Sequence, residues 1–367
     1  MNTDLNTALC RRLGIRYPIF GFSHSIDVTV ALANAGCYPV YGATRDMPEQ
    51  IVSHLKEIRE RIGTGKFGVD LLLPAGVGTE TDRAAVVASL PVEHTRFVDY
   101  LRTKYEVPAA TQTTFFSSQI RSQQLFAEQI DAVLDSGADA FAAGIGSPKS
   151  VLERAKRQGK LTISLVGSAR HAQAAKAAGV DLIVAQGADA GGHTGPIGTY
   201  SLVPQVVEVA GDTPVLAAGG VGHGSHVAAA FALGAQGVWL GTAWLTSREH
   251  AFNDVLLRQV LAAKAEDTVI SKSHSGKAAR LIRSGWTDEW DAPNAPKPLP
   301  MPFHQVLTGE LLAAVEEHGI KALAYTGAGQ GVGWFNELKS VDEIVARLVS
   351  ETQATLNQMS GRLRGAE

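Results

Sequence analysis

The sequence predicts a closed (β/α)8 barrel with inserted cap segments. Three observations carry that reading. Short apolar runs alternate along the chain with Ala-rich amphipathic stretches, as repeated β-α units do. Several helical stretches end in Gly shortly before the next apolar run: Ala35-Gly36, Ser136-Gly137-Ala138-Asp139, Ala178-Gly179-Val180-Asp181 and Leu233-Gly234-Ala235-Gln236 each read as a helix C-cap. The apolar runs number eight, the count that closes a parallel barrel.

The eight runs lie at 17–21, 38–41, 67–73, 138–142, 161–166, 182–186, 215–218 and 237–240. Helices are expected at 28–35, 47–61, 148–158, 169–178, 202–210 and 225–233, with a closing helix at 340–362. An open doubly wound sheet is the alternative. Its G-x-G-x-x-G signature after the first strand is absent, because that run ends Gly21-Phe22-Ser23-His24-Ser25. Two segments break the rhythm. An insert at 74–130 is longer than one crossover needs, and holds an expected helix at 92–105 and a polar stretch at 111–124. A second segment, 247–318, carries Trp286-Thr287-Asp288-Glu289-Trp290 and a proline-rich piece at 293–302. The expected organisation is a barrel from 1–246 and 319–367, with a cap at 247–318 over its mouth.

The 367 residues are 45% hydrophobic and 19% charged, enough for a sizeable core. A net charge of -3 gives no reason to expect nucleic acid or an anionic membrane as partner. No stretch is long and apolar enough to span a bilayer, and 1–12 has no apolar core of signal-peptide length. Cys10 and Cys37 form neither a metal spacing nor a disulfide framework, which fits a reducing, cytoplasmic setting. No His, Cys and carboxylate group has metal-ligand spacing. The long inserts make a homodimer an expectation.

The chemistry concentrates at the carboxyl ends of the strands, where barrels of this kind place their active sites. The sixth run ends Gln186-Gly187-Ala188-Asp189-Ala190-Gly191-Gly192-His193-Thr194-Gly195. Its glycines let backbone approach a ligand closely, with His193 over that ligand. The seventh ends Ala217-Ala218-Gly219-Gly220-Val221-Gly222 before a helix, and the eighth ends Leu240-Gly241-Thr242. Adjacent loops of backbone N–H groups beside a helix N-terminus favour a phosphate. Thr242 adds a hydroxyl donor. A ring lying across the mouth from that phosphate meets Gly191, Gly192 and His193, and flavin mononucleotide has that shape. Gln186 can bond its ring or ribityl chain. His223 and His226 border the phosphate loop, one expected to face solvent and the other to cap backbone. Trp286, Trp290 and Trp334 read as packing.

On these segments, with Phe67-Gly68-Val69-Asp70 and Gly327-Ala328-Gly329-Gln330-Gly331-Val332-Gly333, the chain resembles the nitronate monooxygenases, formerly called 2-nitropropane dioxygenases. The resemblance covers roughly residues 10 to 250 and 320 to 350. It implies a TIM barrel holding FMN non-covalently, an oxidoreductase that oxidises alkyl nitronates with O2 through one-electron chemistry. It implies His193 as the active-site histidine, taking a proton from the carbon beside a nitro group or bonding nitronate oxygens. It carries over Gly219, Gly220, Gly241 and Thr242 as phosphate loops, with Ala218 beside them, Gly191 and Gly192 as backbone near the flavin, and Gln186 as a flavin contact. Gly21 and Asp70 fall where the family's backbone and an Asn meet the ring. The departures are Asp70 itself, the strand-five end Val166-Gly167-Ser168, Asp189 where Glu is common, and the loop Gly21-Phe22-Ser23-His24-Ser25, where Ser23 and His24 become candidate substrate contacts. The alternatives are an NAD(P)H-dependent flavin reductase acting on a quinone or enoyl thioester, and a flavin-binding module without turnover.

Overall fold

The computed structural model describes residues 5–73, 78–79, 82–144, 146 and 148–364. Its strands are β1 (Ile19–Ser23), β2 (Tyr38–Gly42), β3 (Gly68–Leu72), β4 (Ala140–Gly144), β5 (Leu161–Val166), β6 (Leu182–Gln186), β7 (Gly192–His193), β8 (Val215–Ala218), β9 (Gly237–Leu240), β10 (Thr268–Ser271) and β11 (Ala279–Ile282). Eight of them pair in parallel and close a barrel in the order β1-β2-β3-β4-β5-β6-β8-β9. Closure runs through Ile19↔Val238, Phe20↔Trp239 and Gly21↔Leu240. The chain is therefore the (β/α)8 TIM barrel its periodicity predicts.

Both faces of each barrel strand are buried, which is why the strands read as continuous apolar runs. Along β6, Leu182 and Val184 join an interior cluster with Phe20, Tyr38, Val40, Ile163 and Leu216. Ile183 and Ala185 join the outer core beneath the helices. A one-residue slip would exchange these two sets, so register is strongly specified.

The helices begin with α1 (Ala8–Leu13), whose Leu9 and Cys10 pack into the interior cluster. α2 (Ile26–Asn34) and α3 (Pro48–Ile62) follow the first two strands. Ser25 caps α2 by accepting from Val28 N, and proline opens α3 at a position where its missing N–H costs nothing. The insert divides in two. α4 (Arg83–Ala88), α5 (Val92–Lys104) and α6 (Phe115–Ser118) leave the barrel, whereas α7 (Gln123–Leu134) is the crossover helix packed on α3. The expected insert boundary at 130 is corrected to 122, where Ser122 caps α7 by accepting from Leu125 N. Residues 74–77, 80 and 81 of the insert lie outside the described residues, as do 1–4 and 365–367 at the ends of the expected barrel segments.

The barrel continues with α8 (Lys149–Arg157), α9 (Ala169–Ala177), α10 (Thr199–Ala210) and α11 (Gly224–Ala232). Gly36, Gly179 and Gly234 take the left-handed conformation expected of C-caps. Gly137 does not: α7 ends earlier, and Ser136 Oγ bonds Val133 O and Ala138 N instead. Beyond β9 come α12 (Asp254–Ala262), β10, β11, α13 (Gly285–Trp290) and α14 (Phe303–Glu317), and α15 (Val341–Arg364) closes the chain against α11 and α2. α14 gathers α4, α5 and α6 around it. Trp286, Trp290, Leu101, Leu307 and Leu311 form a separate core there. The two interruptions in the sequence thus build one roof.

Candidate active site

A cavity of about 1060 Å³ opens at the carboxyl ends of the barrel strands, under that roof. Sites for small molecules and cofactors typically occupy roughly 300–1,000 Å³. Of the residues expected at the site, Ser23, His24, Asp70, Gln186, Gly191, Gly192, His193, Ala218, Gly219, Gly220, Gly241 and Thr242 all line it. Gly21 does not, which corrects its reading as a cofactor contact. Its α-carbon faces α2, and a Cβ there would overlap Leu32.

Below the cavity, Trp239 stacks between Phe22 and Phe20, and Phe20 stacks on Tyr38, so the floor is aromatic. The loop after β8 turns sharply. Gly219 and Gly220 have φ of +105° and +72°, a region L side chains rarely adopt. A Cβ on Gly219 would also sit 2.7 Å from Thr199 Oγ1. The expected help from the start of α11 is corrected. His226 Nδ1 already accepts the N–H groups of Gly222 (3.1 Å) and His223 (3.2 Å), His223 Nδ1 accepts that of Ser225 (3.1 Å), and Glu351 Oε2 accepts that of Gly224 (2.8 Å). These caps satisfy the helix N-terminus from within the chain. Among the described residues, the N–H groups of Gly220 and Val221 remain without an intrachain acceptor beside Gly241 and Thr242.

The segment 327–333 returns across these loops. Gly329 N donates to Thr242 Oγ1 at 2.9 Å, and Gln330 N donates to Asp189 O at 2.9 Å. A Cβ on Gly191 would lie 2.6 Å from Ala328 C, so this return requires glycine at 191 independently of any ligand. Trp334, at 50% exposure, ends the segment against His223 rather than reaching the cavity.

His193 is not on a free loop, as its sequence suggested. With Gly192 it forms β7, which pairs antiparallel with β11 through Ala279↔His193 and Arg280↔Gly192. β10, β11 and β7 make one small sheet joining roof to rim. Gln186 Nε2 donates to His193 O at 2.7 Å, and His193 Nε2 lies 2.7 Å from Ser275 Oγ. Burial lowers the His193 pKa to about 4, with Arg121, Lys277 and Arg45 adding to the effect, so the imidazole is neutral near pH 7. His274, 5.7 Å away between ring centroids, is also held neutral by burial, and its Nδ1 lies 2.9 Å from the Tyr325 hydroxyl.

His24 Nδ1 lies 2.6 Å from Gly42 O. A carbonyl only accepts, so Nδ1 carries the proton and Nε2 has the lone pair. Burial, then Arg45, lowers the His24 pKa to about 3. Asp70, on β3, is 4% exposed, and its Oδ1 has no hydrogen-bond partner. Burial alone raises its pKa to about 7, roughly 4 kcal/mol against the ionised form. Near neutrality a large share of Asp70 is a carboxylic acid with a proton to donate.

Sequence reading missed Arg45, Arg121, His274, Ser275, Lys277 and Tyr325. They come from four distant stretches with no shared motif, and only folding brings them together, Ser275 through its contact with His193 and the others in the cavity lining. Among the described residues no group of three His, Cys, Asp or Glu could hold a metal ion, and no helix is long and apolar enough to cross a membrane.

This is a TIM-barrel enzyme architecture with a half-buried, neutral histidine over a glycine-edged cavity. The nitronate monooxygenase family profile matches residues 7–351, and the chain belongs to that family of oxidoreductases. A Mycobacterium tuberculosis (strain ATCC 25618 / H37Rv) protein carrying a provisional monooxygenase name is 40% identical, over 97% of this chain and 99% of that protein. A probable nitronate monooxygenase of Staphylococcus aureus (strain JH9) is 30% identical over 88% of this chain and 90% of its own. The nitroalkane oxidase of Streptomyces ansochromogenes superposes with a TM-score of 0.80 at 26% identity, covering 96% of this chain and 100% of that one.

Proposed function

We propose that this enzyme oxidises alkyl nitronates, and nitroalkanes after removal of their α-proton, with O2 to a carbonyl compound and nitrite, using FMN. The observation that carries the reading is His193, neutral and fixed at the rim of a cavity that the Gly219-Gly220 turn also lines. The residues present suit FMN. Gly219 and Gly220 keep side chains off the turn, the N–H groups of Gly220 and Val221 suit its phosphate, and Gly241 and Thr242 stand beside them. Gln186, Gly191, Gly192 and Asp70 line the same cavity and are the residues we assign to the ring. When bound, the flavin supplies the electron acceptor and the reactivity toward O2.

The chain's own residues supply the rest. If Ser275 donates its hydroxyl to His193 Nε2, then Nδ1–H is a donor for a nitronate oxygen; if Nε2–H donates to Ser275, Nδ1 is the base for an α-proton. Either tautomer needs the neutral ring that burial provides. Lys277 lines the same cavity and favours an anionic nitronate there. Protonated Asp70 can donate where an ionised carboxylate would repel an anion. The reading also supports a small-molecule partner and O2, in a cytoplasmic protein. The stretches 1–246 and 319–367 supply the barrel and 247–318 the cap, and His24 and Ser23 are substrate contacts.

The test is to supply purified holoprotein with propionate 3-nitronate in air, and separately with NADH and NADPH without air. Nitrite release with O2 uptake, and no flavin bleaching by either nicotinamide, is the expected result. Bleaching by a nicotinamide with no nitrite from the nitronate would overturn it in favour of a flavin reductase.

A further inference from the structure

Arg121 lines the cavity, is 4% exposed, and pairs with no carboxylate of the described residues. Its Nε has no hydrogen-bond partner, and its Nη1 meets only the Met301 sulfur, at 3.9 Å. The guanidinium stands 5.1 Å from the centre of the Phe116 ring, and Arg45 approaches the same ring at 5.7 Å. Cation–π contacts of this kind recover only part of what desolvating a guanidinium costs. Two cations beside one ring, one of them buried, is an arrangement that an anion would complete. Among the described residues, the acidic ones lining the cavity are Asp70 and Glu316. Asp70 feels burial alone and no cation, and Glu316 is exposed on α14. Burial and Arg45 lower the Arg121 pKa only to about 9, so it remains a cation at neutral pH.

Arg121 is also separate from the glycine loops that suit a phosphate. It lies on the insert, just before α7, and Arg45 lies in the loop after β2, whereas those loops follow β8 and β9. We propose that Arg121, with Arg45, forms a subsite for a carboxylate carried by the substrate away from its reacting carbon. This enzyme then selects acid-tailed donors over plain alkyl ones. A guanidinium presents a planar fork that a carboxylate matches with two parallel hydrogen bonds. The inference rests on the function proposed above only in joining tail and reacting carbon in one molecule.

The experiment compares the nitronates of 4-nitrobutyrate and 1-nitrobutane on holoenzyme, in the native chain, Arg121→Met and Arg45→Met. The native enzyme is expected to favour the carboxylated nitronate at least about tenfold in kcat/KM. Losing a buried charge-assisted pair raises KM for it by about ten- to a hundredfold in Arg121→Met. The 1-nitrobutane nitronate should change by less than about threefold. Exposed Arg45 should give a smaller loss of the same sign, and keeps the test alive if Arg121→Met does not fold. Absence of a native preference, or equal losses on both nitronates, overturns the subsite. Should neither nitronate turn over, the functional reading fails, and glutarate binding by calorimetry tests the subsite alone. Binding that is lost in Arg121→Met, or weakened in Arg45→Met, supports it; no binding to the native protein overturns it.

Discussion

The rim of the barrel and the roof above it enclose the same cavity by different means. At the rim, backbone does the shaping: Gly219 and Gly220 turn through positive φ, and Gly241 leads directly out of β9. In the roof, side chains do it: Arg121, His274 and Tyr325 reach down from segments far apart in sequence. A backbone site is written in consecutive residues, and a change there alters whether anything binds. A side-chain site is assembled by packing, and a change there alters which molecule binds or reacts.

The widest separation of the two should come from Gly220→Asp. It places an anion and a strained φ at the rim, so flavin affinity should fall by at least about a hundredfold, read as loss of colour on gel filtration. Retained flavin in that variant would break the division, because the cofactor would then depend on the roof.

His193→Asn tests the residue that belongs to both regions. Flavin should stay bound, while turnover of neutral nitroalkanes falls by about 10²–10⁴ because proton removal loses its base. Preformed nitronates should lose much less. In the native enzyme the histidine-dependent limb should appear as activity falling below about pH 4, rather than near 6.5, since protonation occurs only there. A limb near 6.5 that vanished in His193→Asn would show that the bound state exposes the ring to water.

Asp70→Asn should give the smallest effect and the finest test. As pH rises through about 7, Asp70 ionises within the cavity and should weaken FMN binding several-fold. Asn cannot ionise, so its binding curve should be flat between pH 5.5 and 8.5. Fluorescence titration of the apoprotein with FMN reads this without turnover, and identical slopes in both proteins would remove Asp70 from the flavin's surroundings.

The legibility of the sequence follows the same line. The barrel strands could be read because each is apolar on both faces and is followed by a helix start such as Ser25 or Ser168. The tight turn at Gly219 and Gly220 could be read because two adjacent glycines close a strand. Gly21 was misread because a glycine facing a helix and one facing a ligand look alike in sequence; Leu32 distinguishes them only in three dimensions. The saturated start of α11 was hidden for a similar reason, since Glu351 reaches it from α15. Arg121 lay inside a polar stretch that gave no sign of burial. Ser122 beside it was the available clue, because a helix cap there would have moved the insert's end and tied Arg121 to the barrel.

The two-residue strand β7 has a consequence for how anything gets in. Hydrogen-bonded to β11, it rivets the histidine to the roof. Lifting that roof would pull His193 off station and dismantle the chemistry it shelters. A route that leaves the roof seated keeps the histidine in place. In hydrogen exchange the amides of 192–193 and 279–280 should open together, as one unit and more slowly than the surrounding loops.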